Sequence, residues 1–337
     1  MMQYHVSGKM MAYITVSNEI PKSHQQHRLA AATYIEFTQG PFGAILLQRV
    51  VNGDWTVQLA QFFISRQVRL YPVAQQPLGI LHCMLEGRIP CILQGFGDVM
   101  LREKEWRFFY VPAGKRNTAM FSKGYYESFQ IGLSPAYLSR FAHNGSPLRE
   151  VLRRLEHTLP EGYEVGPCPL SLQTLDQVEK MRHTQITGPT RNLYYQARIN
   201  DLMLLYLASL EQMSQQRNKT VARYEKEMKQ LADYIADNLE KQLIVPQLAA
   251  KMGLHVQIVE KEFKKVHLQT IKSFILEQRM KRARYLLTEG KMPIVEIAYT
   301  VGYGDAAYFS NVFKKQSGIT PTAYQKAKKD STDKPLP

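Results

Sequence analysis

Leu248-Ala249-Ala250-Lys251-Met252-Gly253-Leu254 is echoed 49 residues later by Ile297-Ala298-Tyr299-Thr300-Val301-Gly302-Tyr303, and Val259–Lys265 (VEKEFKK) is echoed 50 residues later by Phe309–Lys315 (FSNVFKK). Each copy supplies the elements of a helix-turn-helix: a first helix ending at a glycine able to take left-handed backbone, an apolar anchor, then a second helix. The second copy carries one extra residue in its turn. One such pattern occurs by chance in many helical proteins. Two copies at matched spacing are specific, and they predict helix-turn-helix pairs over about 244–265 and 294–315.

In each second helix, Ile258, Val259 and Phe263, or Tyr308, Phe309 and Phe313, are expected to hold the core side. The other positions can face a DNA groove. Gln257 is able to pair with adenine, Glu260 to accept from cytosine, and Lys261 to donate to guanine or phosphate. The second copy offers Ala306, Ala307, Ser310 and Asn311 at those positions. Lys264-Lys265 and Lys314-Lys315 suit phosphate contacts, which fix register without reading sequence. Between the copies, residues 270–288 predict a connector helix about 28 Å long at 1.5 Å per residue. That length suits two recognition helices set about 34 Å apart, one turn of DNA. The connector's run Arg279-Met280-Lys281-Arg282-Ala283-Arg284 sets four cations beside an apolar stripe, and Arg279 joins the expected phosphate contacts.

Charge agrees with a polyanionic partner. The 337-residue chain holds 43 Lys and Arg against 29 Asp and Glu, a net of +14, with a pI near 9.5. Half of that excess lies after residue 220, where 20 bases face 13 acids in 117 residues. The length fits two domains better than one. Cys83, Cys91 and Cys168 form no CxxC pair and no metal-ligand spacing, which disfavours a disulfide framework or a structural zinc and suggests a reducing, cytoplasmic setting. Met1–Met11 lacks a basic segment followed by an apolar one, and no window approaches the roughly 20 apolar residues of a membrane span. Membrane insertion and secretion are therefore disfavoured, and no cofactor is implied.

Upstream, from about 43 to 133, the pattern has period two: Trp55, Val57, Leu59 and Phe63 alternate with Thr56, Gln58 and Ala60. Turn residues such as Asn52-Gly53-Asp54 and Glu86-Gly87-Arg88 punctuate these runs, which predicts a small antiparallel barrel or sandwich. Helices are expected over about 134–213, beginning at the cap Ser134-Pro135. A long apolar helix from 191 to 213, with Met203, Leu204, Leu205 and Leu207 widening its face, is wide enough either to cover the strands alone or to meet a second subunit as well. Ser214–Thr220 (SQQRNKT) has no large apolar residue, so 214–224 reads as a linker and 328–337 as a disordered tail.

Residues 225–327 resemble the DNA-binding domain of the AraC/XylS family of bacterial transcription regulators. The likeness is carried by Arg279–Leu287, Ile294-Val295-Glu296-Ile297-Ala298, Val301-Gly302-Tyr303, Tyr308-Phe309-Ser310, Phe313-Lys314-Lys315, Gly318-Ile319-Thr320-Pro321 and Tyr324. It implies a seven-helix domain whose first helix buries Met228, Leu231, Ile235 and Leu239, with promoter DNA and RNA polymerase as partners. The first copy departs from the pattern in having Leu268 in place of a glycine and Ile271 in place of a proline. The resemblance also implies that residues 1–213 form a cupin-like barrel with helices that dimerises and senses a small molecule. The stretch from 188 to 210 is similar to the branch containing the pyochelin-siderophore regulators.

Pro112-Ala113-Gly114-Lys115-Arg116-Asn117 resembles a cupin motif with Asn117 in place of its histidine, and only His82 with Glu86 remains of the other. A metal enzyme tethered to DNA, or a DNA binder without an effector, are the competing readings. His82, Arg88, Trp106 and Tyr110 are the candidate walls of an effector pocket.

Overall fold

The structure, a computed structural model, describes residues 1–332, without the side chains of residue 9 and of 328–332. The chain divides into two compact units between Ser214 and Gln215.

In the first unit, two antiparallel sheets face each other as an open, barrel-like sandwich. The larger orders its strands Tyr163–Pro169, Glu105–Val111, Leu78–Glu86, Gly124–Leu133, Trp55–Ile64, Gly43–Asn52, Tyr34–Gly40 and Thr15–Ser17. The smaller orders Met2–His5, Val68–Ala74, Thr118–Phe121, Ile89–Leu93 and Gly97–Leu101. The two-residue loop Gly53-Asp54 closes one hairpin, and Asn52↔Trp55 through Gly43↔Ile64 set its register. Strands thus begin at Met2, well before position 43, and Tyr163–Pro169 adds a strand among the expected helices.

The central strands of the large sheet are buried on both faces. One face sets Phe62, Ile80, Met84 and Phe109 against Leu70, Val99 and Phe121 of the small sheet. The other sets Trp55, Leu81, Trp106, Phe108 and Phe129 against Leu138, Leu152, Val178, Tyr195 and Met203 of the helices. Each such side chain contributes about 1.5–3 kcal/mol when fully removed from water. Tyr206 anchors the helical layer: its hydroxyl accepts from the Phe108 N–H (3.0 Å) and donates to the Val165 carbonyl (2.5 Å).

Residues 214–224 lie inside the helix Gly188–Asp237 and form no irregular linker. The segment is polar, but it has no glycine or proline to stop a helix, and Gln, Arg and Lys are good helix formers. The last helix, Pro321–Thr332, likewise runs through the first part of the expected tail. Residues 333–337 of that tail lie outside the described residues.

The second unit builds two small cores on one shared helix. Met228, Leu231, Ile235 and Leu239 join Leu248, Val259 and Phe263 in the first core. Ile297, Val301, Phe309 and Phe313 form the second. Connector helix Ile271–Glu289 gives Ile271 and Ile275 to the first, and Met280, Ala283, Leu286 and Leu287 to the second. With the end of the long helix, the unit counts seven helical segments among the described residues.

Candidate nucleic-acid interface

The two helix-turn-helix pairs close their turns with the same bonds. After Val245–Lys251, Gly253 N–H donates to Ala250 O (3.0 Å) and Leu254 N–H to Ala249 O (3.1 Å). After Ile294–Thr300, Gly302 N–H donates to Tyr299 O and Tyr303 N–H to Ala298 O, both 2.9 Å. Each is a Schellman turn, with glycine at φ +65° and +84° respectively. The extra residue of the second copy puts Asp305 at the helix start, where its carboxylate caps the Tyr308 N–H; His255 makes no side-chain cap in the first.

Recognition helices Val256–His267 and Ala306–Ser317 then present one face each. Val259 and Phe263, or Phe309 and Phe313, point inward. In the first, Gln257, Glu260, Lys261 and Lys264 are exposed along one open groove bounded by Thr270 and Ile271. Lys265 is exposed as well, with its ammonium 2.8 Å from Glu262. In the second, Ala307, Asn311, Lys314 and Lys315 are exposed. Ser310 is half-buried, and its hydroxyl donates to Ala306 O (2.8 Å), which leaves it an acceptor only.

Tyr308 departs from expectation. It is 61% exposed on the recognition helix, not in the core, so an amphipathic ring joins the outward set. Helical geometry explains this: Phe309 and Phe313, four apart, define the inner stripe, and position 308 falls about 100° to one side. That angle was the signal available in the sequence.

Arg279 also takes another place. It is half-buried, donating from Nη2 to the Lys241 carbonyl (2.9 Å) with its guanidinium 5.4 Å from the Tyr303 ring centre. Burial lowers its pKa from the usual arginine range. A Cβ at position 302 would lie 2.1 Å from Leu239 O and 2.4 Å from Arg279 Nη2. Gly302 and Arg279 therefore clamp the second turn to the first core, which engages Arg279 Nη2 within the fold. Of the connector's other cations, Lys272, Lys281 and Arg282 are exposed.

Leu268 ends the first recognition helix at φ +58°, the conformation Gly318 takes (φ +80°) after the second. Thr270 and Thr320 next cap the following helices by accepting from Ser273 N–H and Ala323 N–H. Ile271 is buried where Pro321 is buried in the other copy. Both departures from the family pattern keep the same backbone path.

In the first unit, a cavity of about 70 Å³ lies between the two sheets, with His82 among its walls. The other three candidates are elsewhere. Arg88 is exposed. Trp106 and Tyr110 face the helical layer, where the Tyr110 hydroxyl donates to Leu159 O (2.6 Å). His82 pairs with Arg107 across the strands, so Trp106 and Tyr110, one residue to either side of the Arg107–Phe109 pair of inward positions, belong to the opposite face. Burial first, and the Arg107 cation second, hold His82 down at about 4. Among the described residues no group of three or more His, Cys, Asp or Glu is placed to hold a metal ion, and no helix is long and apolar enough to cross a membrane.

Paired helix-turn-helix modules on a shared connector, following a two-sheet domain, define the AraC class of transcription regulators. Residues 248–327 match the model of a helix-turn-helix domain. Residues 50–221, just over half of the chain, match the regulatory protein PchR N-terminal domain, and the chain belongs to that family of AraC-type regulators. It is similar to the Msm operon regulatory protein of Streptococcus mutans, 31% identical over 132 residues, covering 38% of this chain and 46% of that one. It is 26% identical to the HTH-type transcriptional activator RhaS of Mannheimia succiniciproducens over 122 residues, 36% and 46% of the two chains. The chain spans about half the length of these curated relatives. A solved likeness is the C-terminal domain of AraT, a response regulator from Geobacillus stearothermophilus, at 26% identity and a TM-score of 0.29, covering 30% of this chain and 84% of that one.

Proposed function

We propose that the protein is a cytoplasmic, non-enzymatic transcription regulator that binds promoter DNA through both recognition helices and answers to a small-molecule effector in the first unit. The carrying observation is the pair of outward faces on equivalent scaffolds: Gln257, Glu260 and Lys261 in one, Ala307, Tyr308, Ser310 and Asn311 in the other, each followed by exposed lysines. Base edges are read by the former kinds of group, and Lys264, Lys265, Lys314 and Lys315 contact phosphate. RNA polymerase is the downstream partner. A homodimer forms through the first unit, where Leu204 is 61% exposed on the helix that buries Leu202, Met203 and Tyr206. The effector shifts a pre-existing equilibrium between arrangements of different promoter affinity.

Genome-wide mapping of bound sites, followed by titration of a bound fragment against salt, tests this. A discrete set of promoters and a steep fall of affinity with salt are expected, because neutralised phosphates release counterions. A flat salt response, or no preference over random DNA, defeats the proposal.

A further inference from the structure

We propose that the cavity between the two sheets binds a small, uncharged, largely apolar molecule that presents one hydrogen-bond acceptor to Asn117 Nδ2. The inference rests on reading the first unit as an effector sensor and assigns that effector a chemistry.

Asn117 is 3% exposed and lines the cavity. Its orientation is settled by the Gln94 N–H, which donates to Oδ1 (3.0 Å) and so turns Nδ2 the other way. Nδ2 is buried and has no hydrogen-bond partner. A buried donor left unpaired is costly, and an acceptor brought to it recovers that cost. The neighbouring polar groups do not supply one. Gln130 Nε2 donates to Tyr4 OH and Ser128 Oγ, both 3.0 Å, and Gln130 Oε1 accepts from Gln58 (3.1 Å). Tyr4 OH and Ser128 Oγ also border the site but are already engaged by Gln130, and with walls of Phe62, Ile89 and Phe121 it suits a largely apolar molecule better than water, which needs two to four polar partners.

Charge is the second constraint. Among the described residues no Lys, Arg, Asp or Glu lines the cavity, and burial keeps His82 neutral at ordinary pH. Arg107, whose cation acts on His82 and Cys91, is already paired with Glu105 and Glu164, so a carboxylate or an ammonium would enter without a free counter-charge. Size is the third: about 70 Å³ is roughly half of a cavity that binds benzene (about 150 Å³), so the molecule is no larger than a small ring, which enters with some movement of the walls.

The test uses the full chain and three probes of one shape: cyclopentanone, cyclopentane and cyclopentanecarboxylate at neutral pH, followed by the methyl NMR signals of Ile80, Ile89 and Val111. Cyclopentanone should shift these signals saturably, with a dissociation constant about tenfold below that of cyclopentane, and the carboxylate should not. Asn117→Leu should abolish the ketone's advantage and keep cyclopentane binding. Asn117→Ala, which removes the donor without adding bulk, should also abolish it, and it carries the test if the leucine variant fails to fold. Absence of any saturable shift in the wild-type chain, carboxylate binding as tight as the ketone's, or an advantage that survives both substitutions overturns the inference. Promoter binding is measured on the same preparation. Intact DNA binding with an empty cavity sinks this inference alone, whereas ketone binding without promoter binding sinks the regulator reading and leaves the cavity assignment standing.

Discussion

The two helix-turn-helix copies share a backbone and differ in nearly everything they show to solvent. Their turns carry the same pair of hydrogen bonds, and their second helices bury aligned positions, Val259 with Phe263 and Phe309 with Phe313. The first exposes an amide, a carboxylate and an ammonium; the second exposes a methyl, a phenol and an amide. The difference teaches that the scaffold is held by local backbone bonds and two inward side chains, which leaves the outer face free to diverge. It also shows an asymmetry in restraint. Gly302 is wedged against Leu239 O and Arg279, while a Cβ at Gly253 meets open space.

That asymmetry gives the largest expected effect. Gly253→Ala carries only the left-handed conformational cost of about 1–2 kcal/mol. Gly302→Ala adds overlap with a backbone oxygen that cannot swing away, and should cost at least about 3 kcal/mol. Denaturant unfolding of the full chain, followed by helical circular dichroism, compares the two. Equal losses would mean that the clamp is not a restraint.

Next in size is base readout. Lys261→Ala should weaken binding to a mapped promoter site by about 1–3 kcal/mol and relax preference at one base position. Asn311→Ala, in the copy with fewer polar readers, should cost less. Competition binding against single-base variants decides it, and a larger loss from Asn311→Ala would reverse the assignment of the stronger reader to the first copy. Lys264→Ala should reduce the slope of affinity against salt by about one ion, whereas Arg279→Gln should lower affinity with the slope unchanged, because Arg279 is half-buried with Nη2 on Lys241 O. A reduced slope for Arg279→Gln would return it to the phosphate contacts.

The second unit was legible because its determinants are local: a glycine, an apolar spacing of four, and their recurrence. The outward set followed by subtraction, apart from Tyr308, whose apolar ring imitates a core residue, and Arg279, whose clamp depends on a carbonyl 38 residues away. The first unit was less legible for a physical reason. A sheet buried on both faces alternates without contrast, so parity separates Trp106 from Arg107 but does not say which side holds the cavity. The short strands before position 43 sit mostly at sheet edges and carry little hydrophobic signal. The polar run 214–220 carries no apolar periodicity, but its residues favour helix and the chain has nothing there to end one.

The smallest expected effect concerns the place where the first copy gave up its glycine. Leu268 holds φ +58° and is 88% exposed, so its side chain contributes almost nothing by burial while its Cβ bears the left-handed cost. Leu268→Gly removes that cost but frees the unfolded chain, which returns about 0.5–1 kcal/mol of the gain. The net should be a stabilisation of roughly 0.5–1 kcal/mol, read as a higher denaturant midpoint at unchanged slope. DNA affinity measured beside it sharpens the comparison between copies. If stability rises and promoter affinity is untouched, Leu268 is only an imperfect copy of Gly318. If stability rises while affinity falls, the exposed leucine acts in binding, and the first copy exchanged a relaxed turn for a contact that the second does not make.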